Sequence, residues 1–291
     1  MKSAFISIVG RPSAGKSTLL NSLCGHKVSI VSPTPQTTRN RIRGVLTRKE
    51  GQLVFVDTPG FNVSAKKLNL HMKDLIISSL DEVDVILYVA DLSRAMGEEE
   101  HAIIERVKSC GSRLVVALNK VDLPGLHADE RKSLVSRLLP DASMHTISAV
   151  AGTGIEEMIA KLFELAPEGE LMYPEEFYTD QDPEFRISEI IREKAILRTG
   201  QEVPHSIYVE IADMELHESD QILWIRAFIA VERESQKGIL VGKGGSKIKE
   251  IRKAALAEIR NLFPYNVELD IRVKVKKDWR KKDHLLNKLI Y

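Results

Sequence analysis

The segment that most constrains this chain is residues 10–17, which reads GRPSAGKS. It follows the apolar run 5–9 and precedes a helix-like segment at residues 18–23. A glycine-rich turn between a strand and a helix presents successive backbone N–H groups to an anion, and the helix N-terminus adds its partial positive charge. The sequence therefore predicts a phosphate-binding loop near the start of the chain.

The first half of the chain alternates between two patterns. Short apolar runs typical of buried strands cover residues 5–9, 53–56, 85–90, 114–118 and 145–147. Helical spacing covers residues 69–79, 98–109, 129–138 and 155–164. Alternating strands and helices predict an α/β domain with a doubly wound, mostly parallel sheet, whose ligands lie at the carboxyl ends of the strands.

The polar segments after these strands contain groups that suit a nucleoside triphosphate with magnesium. Lys16 can reach the β- and γ-phosphates, and the Ser17 hydroxyl can bind Mg²⁺. Asp57 follows the strand-like run at 53–56 and suits the Mg²⁺ shell, while the Gly60 N–H can contact the γ-phosphate. Thr38 lies in a polar segment that can close on Mg²⁺ when the γ-phosphate is present. We assign Ser17, Thr38 and Asp57 to the metal, and Lys16, Thr38 and Gly60 to catalysis.

The sequence NKVD at residues 119–122 indicates which base is bound. The Asp122 carboxylate can accept two hydrogen bonds from guanine, whereas adenine offers neither donor and would leave the carboxylate unpaired at a cost of ~1–3 kcal/mol. Residues 148–150 can offer backbone N–H groups to the guanine O6. The predicted nucleotide-binding residues are Gly10, Arg11, Pro12, Ser13, Ala14, Gly15, Lys16, Ser17, Thr18, Asp57, Thr58, Pro59, Gly60, Asn119, Lys120, Asp122, Ser148, Ala149 and Val150.

Charge is distributed unevenly along a chain whose net charge is only +1. Residues 1–170 carry 21 Lys and Arg against 20 Asp and Glu, residues 171–236 carry 6 against 15, and residues 237–291 carry 15 against 6. The basic final segment, with clusters at 274–277 and 280–282, indicates a polyanion or an anionic membrane as partner. The alternative is a solvated face balanced by the acidic stretch before it.

A composition break predicts two domains, at residues 1–168 and 185–291, joined by a linker at 169–184. In the second domain, helical spacing at 185–198 and 246–262 and strand-like alternation at 206–212, 222–232 and 267–275 predict an α+β fold. Trp224 alternates with apolar residues in one of these strands and is predicted to lie in the core.

Between two helical segments lies the sequence GKGG at residues 242–245. Missing side chains there would let a nucleic-acid backbone approach closely, as in KH domains, and neighbouring lysines could pair with phosphates. Ile248 and Ile251 could help to floor an apolar groove for bases. The alternative is that the glycines only cap a helix. The predicted RNA-binding residues are Ile239, Val241, Gly242, Lys243, Gly244, Gly245, Lys247, Lys249 and Arg252.

No apolar run reaches the length of about 18 residues needed for a membrane span, and residues 1–4 leave no room for a signal peptide. The two cysteines, Cys24 and Cys110, fit no metal spacing and suit a reducing compartment. We therefore expect a cytoplasmic protein. No coiled-coil pattern indicates an oligomer, so we expect a monomer.

These motifs together resemble the Era family of bacterial GTPases, over essentially the whole chain. The resemblance rests on GRPSAGKSTLLN, PQTTRNRIRG, DTPG, NKVD, SAVAGTG, EVPHSIYVE, ILVGKGGSKIKEI and VELDIRVKVKKDW. It implies a switch that hydrolyses GTP to GDP with Mg²⁺, fused to a type II KH domain. It further implies binding to the 3′ region of 16S ribosomal RNA, a role in 30S subunit assembly, and some peripheral contact with the inner membrane.

Two positions depart from related patterns. Ser13 stands where family phosphate loops usually have Asn, which calls potassium-assisted catalysis into question. Phe61 stands where Ras-like enzymes keep a water-orienting Gln, so no catalytic base is assigned and slow intrinsic hydrolysis is expected. The alternative hypothesis is a ribosomal RNA-binding protein whose guanine nucleotide is structural. A tRNA-modifying GTPase lacks support, since neither cysteine lies near the C-terminus.

Overall fold

The computed structural model describes residues 1–35, 37–60, 82–124, 127–200, 203–282 and 285. Most of the chain up to Asp180 forms one compact unit, and the chain from Gln181 onward forms a second. The backbone N–H groups of Met172 and Tyr173, in the predicted linker, both donate to Gln52 Oε1 at 2.9 Å. The first part of that linker therefore packs as part of the first unit.

Among the described residues of the first unit, six strands form one sheet. They are Lys2–Val9 (β1), Ile42–Arg48 (β2), Gly51–Asp57 (β3), Val85–Asp91 (β4), Leu114–Asn119 (β5) and Ser143–Thr146 (β6). Their order is β2-β3-β1-β4-β5-β6, and all neighbours are parallel except β2 and β3. Strands β3, β4 and β5 are buried along their whole length, which explains their apolar sequences. The predicted doubly wound, mostly parallel sheet is confirmed.

Strand β2 was not predicted, because its sequence mixes polar and apolar residues as edge strands do. It pairs antiparallel with β3 from Arg48 opposite Gly51 to Ile42 opposite Asp57. This register has a functional consequence. It brings the loop before β2, which contains Thr38, to the end of β3 that carries Asp57.

Four helices are described in the first unit: Lys16–Cys24 (α1), Glu98–Val107 (α2), Ala128–Leu138 (α3) and Ile155–Leu165 (α4). The buried face of α4 is an apolar stripe of Ile155, Met158, Ile159 and Leu162, at i, i+3, i+4 and i+7, whereas α3 buries Arg131 together with Val135. The three predicted helices after residue 97 are confirmed to within a residue or two. The helix predicted at 69–79 lies outside the described residues.

The second unit has the predicted order of elements. Helix α5 is Pro183–Leu197, strands β7 and β8 are Tyr208–His217 and Ile222–Val231, helices α6 and α7 are Glu234–Val241 and Ser246–Ile259, and β9 is Asn266–Val275. Strand β8 is central, antiparallel to β7 and parallel to β9. Helix α5 begins with Pro183 after Asp182, whose carboxylate accepts hydrogen bonds from two first-turn N–H groups.

The prediction that Trp224 lies in the core was wrong. The core-facing positions of β8 are Leu223, Ile225, Ala227 and Ile229, which pack under α5 and α7. Because side chains alternate along a strand, Trp224 points to the opposite face. There it is half-buried, with the Arg226 guanidinium 4.7 Å from its ring centroid.

This assignment of faces predicts different consequences for two neighbouring truncations. Ile225→Ala opens a cavity in the core of the second unit and should destabilise it by about 2–5 kcal/mol. Trp224→Ala removes a larger side chain from the open face and should destabilise the unit less. Hydrogen exchange of the β8 amides in the two variants measures the difference. Greater destabilisation by Trp224→Ala would show that the faces are assigned wrongly.

Candidate functional site

The phosphate loop joins β1 to α1 and surrounds a buried lysine. Lys16 is only 6% exposed, and its Nζ donates to the carbonyl oxygens of Gly10 and Arg11 at 3.1 Å each. Burial lowers the pKa of Lys16 to about 8, even though the carboxylates of Asp57 and Glu99 act to raise it. A cation desolvated in this way is stabilised by a bound anion, as expected for a phosphate site.

Three predicted metal ligands meet at the end of β3. Ser17 Oγ donates to Asp57 Oδ2 at 2.6 Å and shares a hydrogen bond of 2.8 Å with Thr38 Oγ1. Thr38 Oγ1 lies 3.5 Å from the same carboxylate oxygen. The structure adds Ser29, whose Oγ donates to Asp57 Oδ2 at 3.2 Å. No motif marks Ser29 in the sequence, since only folding brings it to Asp57.

Asp57 has the surroundings of a cation ligand. It is fully buried, and its Oδ1 has no hydrogen-bond partner among the described residues. Burial raises its pKa, although Lys16 and the three hydroxyl groups act to lower it. A carboxylate with adjacent hydroxyls fits Mg²⁺, which takes hard oxygen ligands and keeps several waters. The described residues contain no group of three or more His, Cys, Asp or Glu that offers another metal site.

The DTPG segment lies directly against the phosphate loop. Thr58 Oγ1 donates to the Ile8 carbonyl at 2.8 Å, which fixes the turn after β3 to the end of β1. A Cβ added to Gly60 would lie 2.7 Å from the Cα of Pro12. Only glycine allows this close approach, which places the Gly60 backbone beside the loop that holds the phosphates. Phe61 lies outside the described residues.

The NKVD loop is bonded to the phosphate loop and to residues 148–150. Asn119 Nδ2 donates to the Ala14 carbonyl at 2.9 Å, and Asn119 Oδ1 accepts from the Ala149 N–H at 3.0 Å. Lys120 Nζ donates to the Ser13 carbonyl at 2.8 Å. The Asp122 side chain is exposed. The loops predicted to hold phosphate and base are thus parts of one hydrogen-bonded site.

The glycine turn of the second unit joins α6 to α7. Gly242, Gly244 and Gly245 all have positive φ, between 59° and 75°, a backbone conformation in which glycine is favoured. Lys243, Lys249 and Arg252 are exposed around the turn, and Lys247 is half-buried. Backbone and positive charge are therefore both accessible at this surface.

The apolar part of this surface differs from the prediction. Ile239 is 43% exposed and Val241 is partly exposed beside the turn. Ile251 is fully buried in the core of the second unit, because it faces the sheet from α7, and it cannot contact bases. Ile248 packs partly against the same core. The assignment of Ile251 to a groove floor was wrong.

Two family models match separate parts of the chain. The model described as 50S ribosome-binding GTPase matches residues 5–120, and the model described as KH domain matches residues 202–280. GTPase Era of Treponema denticola is 50% identical over 294 aligned residues, and GTPase Era of Borreliella afzelii is 48% identical over 291; both alignments cover 100% of each chain. The chain belongs to the Era family of GTPases.

Solved structures agree with this family. A single-residue variant of Aquifex aeolicus Era bound to GDP and AlF4⁻ is 36% identical, with a TM-score of 0.94 over 99% of this chain and 98% of that one. A structure of Era with MgGDPNP and nucleotides 1506–1542 of 16S ribosomal RNA is 35% identical, with a TM-score of 0.93 over the same shares. This Era-family protein is accordingly a GTPase that uses a guanine nucleotide and Mg²⁺, and its second unit is a KH domain.

We expect nucleotide affinity to depend on the protonation of Lys16. With a pKa of about 8 in the free protein, Lys16 is largely charged at lower pH. A bound phosphate raises that pKa, so GDP affinity should be constant below pH ~8 and fall as the pH rises through it. Fluorescent GDP binding measured from about pH 7 to about pH 9 tests this. Lys16→Arg keeps its charge throughout and should flatten the profile; an equally steep fall in that variant would contradict the assignment.

We also expect Asp57 to act through the metal. Asp57→Asn should weaken GTP binding by about tenfold or more in the presence of Mg²⁺, yet change GTP binding little when Mg²⁺ is removed with a chelator. Ser29→Ala, which removes one hydrogen bond to Asp57 and no predicted ligand, should give a smaller effect of the same kind. Calorimetric titrations with and without Mg²⁺ measure both. Equal losses of affinity under the two conditions would show a structural role only.

Proposed function

We propose that this protein binds the 3′ region of 16S ribosomal RNA through its KH domain and assists 30S subunit assembly, under control of GTP binding and hydrolysis. The observation that carries the proposal is the exposed GKGG turn at the start of basic helix α7. The complex of a relative with 16S ribosomal RNA nucleotides supports the same partner. The net charge of +9 in residues 237–291 favours association with a polyanion.

The residues around the turn offer complementary contacts to single-stranded RNA. We infer that the RNA backbone passes close to Gly244, where no side chain intervenes, and that Lys243, Lys247, Lys249 and Arg252 pair with its phosphates. At Gly242 an added Cβ would lie 2.9 Å from the Cβ of Lys247, so glycine there allows the turn to pack against α7. Ile239 and Val241, both at the surface, supply apolar contact for unstacked bases. A Cβ placed on Gly244 would have no heavy atom within 4 Å, so the turn is open on that side.

In the first unit we propose a division of roles among the clustered residues. Lys16 binds the β- and γ-phosphates, Ser17, Thr38 and Asp57 hold Mg²⁺, and Gly60 donates its N–H to the γ-phosphate. Mg²⁺ held by these residues would neutralise charge that develops on the phosphates during phosphoryl transfer. Asp122 selects guanine. Among the described residues we assign no catalytic base, and we propose that intrinsic hydrolysis is slow.

We propose that strand β2 couples nucleotide binding to RNA binding. β2 follows the Thr38 loop, and residues just before α5 bind it. The Val45 N–H donates to the Tyr178 carbonyl at 2.9 Å, and Thr179 Oγ1 donates to the Arg43 carbonyl at 2.8 Å. Arg43 also pairs with Asp180 at 2.9 Å. We propose that movement of the Thr38 loop on GTP binding alters these hydrogen bonds between β2 and residues 178–180. The RNA affinity of the KH domain changes as a result.

We further propose that the protein acts as a cytoplasmic monomer whose basic C-terminal residues contact anionic lipid at most peripherally. In the described part of the chain, no helix is long and apolar enough to span a bilayer. Part of the basic charge is already paired: Lys276 contacts Glu210 at 3.0 Å and Arg280 contacts Glu232 at 2.5 Å. This internal pairing weakens the attraction of these two residues to any polyanion, so the RNA proposal depends on the basic residues around the GKGG turn.

Gly244→Asp tests the RNA contact. The added carboxylate fits sterically but repels phosphate, so affinity for an RNA of the 16S 3′ region should fall by about tenfold or more. Gly244→Asn is the matched control, since Asn has the same size, tolerates positive φ equally and carries no charge. Fluorescence anisotropy measures both variants. Equal affinity of Gly244→Asp and Gly244→Asn would remove the proposed phosphate contact.

The same assay tests the switch when the protein is loaded with GDP, with a non-hydrolysable GTP analogue, or left without nucleotide. We expect RNA affinity to differ among the three states. Identical affinities would leave RNA binding intact and eliminate nucleotide control.

A further inference from the structure

A cluster of buried charged side chains lies behind the phosphate loop, outside the motif residues assigned above. Asp91 comes from the end of β4, Glu100 from α2 and Arg131 from α3, and each is at most 1% exposed. Arg11, from the phosphate loop itself, extends into this cluster and is 8% exposed. The Arg11 guanidinium is thus directed into the protein. Arg11 contributes to the nucleotide site through its backbone.

Glu100 lies between the two arginines of this cluster and contacts both. Its Oε1 contacts Arg131 Nη1 at 2.6 Å and accepts a hydrogen bond from the Tyr88 hydroxyl at 3.1 Å. Its Oε2 lies 3.4 Å from Arg11 Nη1, and Arg11 Nη2 lies 3.3 Å from Asp91. Arg131 and Tyr88 hold one oxygen of the carboxylate, which leaves the other directed at Arg11.

The backbone of Arg11 is the part that reaches the nucleotide site. Its carbonyl accepts hydrogen bonds from Lys16 Nζ at 3.1 Å and from the Ala14 N–H at 3.3 Å. A displaced Arg11 side chain therefore displaces the carbonyl that orients Lys16. Removing the Glu100 carboxylate takes away the anion that lies between the two guanidinium groups and leaves Asp91 as the remaining carboxylate partner of Arg11, so the Arg11 side chain is held less firmly.

We propose that Glu100 is a positioning residue for guanine-nucleotide binding, which acts through Arg11 to fix the phosphate loop, with Arg131 and Tyr88 holding its carboxylate. Asp91 is the second carboxylate partner of Arg11. It also accepts a hydrogen bond from Lys120 Nζ at 2.8 Å. The cluster therefore connects the phosphate loop to the base-recognition loop from behind. The proposal concerns the GTPase site and is independent of the RNA contact.

The test measures the dissociation rate of fluorescent GDP from the full-length protein with Glu100→Gln, Arg11→Gln and both substitutions. Glu100→Gln should release GDP about tenfold faster because it removes one carboxylate partner of Arg11, and Arg11→Gln at least as fast because it removes the contacts to both Glu100 and Asp91. The double variant should release it no faster than Arg11→Gln alone, since Glu100 acts only through Arg11. Effects that multiply in the double variant, or an unchanged rate in Glu100→Gln, would overturn the proposal.

Two further variants separate positioning from stability. Val135→Ala removes a buried side chain from α3 without touching Arg11, and should lower the melting temperature while GDP release stays within about twofold. If it accelerates release as much as Glu100→Gln does, the cluster is merely structural.

Should Glu100→Gln fail to fold, Tyr88→Phe loosens the same carboxylate by one hydrogen bond. It should accelerate GDP release in the wild-type background and leave the rate unchanged in the Arg11→Gln background; any other pattern rejects the role. RNA affinity measured on the nucleotide-free protein should stay unchanged in every variant, which separates this result from the RNA-binding proposal.

Discussion

Nucleotide binding by the first unit depends on two buried charges of opposite sign. Lys16 is desolvated among backbone carbonyls and has its pKa lowered to about 8, while Asp57 is desolvated among hydroxyl groups and has its pKa raised. Each charge attracts the other, but in both cases the effect of burial on the pKa is larger than the effect of that attraction. A phosphate chain with its magnesium supplies an anion to the first and a cation to the second. Nucleotide binding is thus the completion of an electrostatic arrangement that folding leaves unbalanced.

Sheet topology is what brings these charges together. The carboxyl ends of β1, β3 and β5 lie at one edge of the sheet, so Gly10, Asp57 and Asn119 lie on the same side of the first unit although they are far apart in sequence. Hydrogen bonds then tie the loops to one another, as Asn119 does with Ala14 and Ala149. A mutually bonded set of loops loses little conformational entropy when the ligand binds.

In the second unit, periodic sequence patterns predict the helices and strands but not which face of each is buried. The order of its helices and strands follows from the sequence, as does the glycine turn between α6 and α7. Alternation along β8 shows that neighbouring side chains face opposite ways, but the sequence does not state which face the helices cover. Trp224 was placed on the wrong face for this reason. Ile251 was misassigned because an apolar residue at helical spacing suits a groove and a core equally well.

The sequence by itself determined the phosphate loop, the candidate metal ligands Ser17, Thr38 and Asp57, the base-recognition segment and the family, because these depend on local runs of residues at fixed spacing. Only the tertiary structure decided that β2 pairs with β3, that Ser29 joins Asp57, and that Arg11 is held by Glu100 and Asp91. Edge-strand pairing and buried ion pairs join residues distant in the chain, and no local pattern records such contacts.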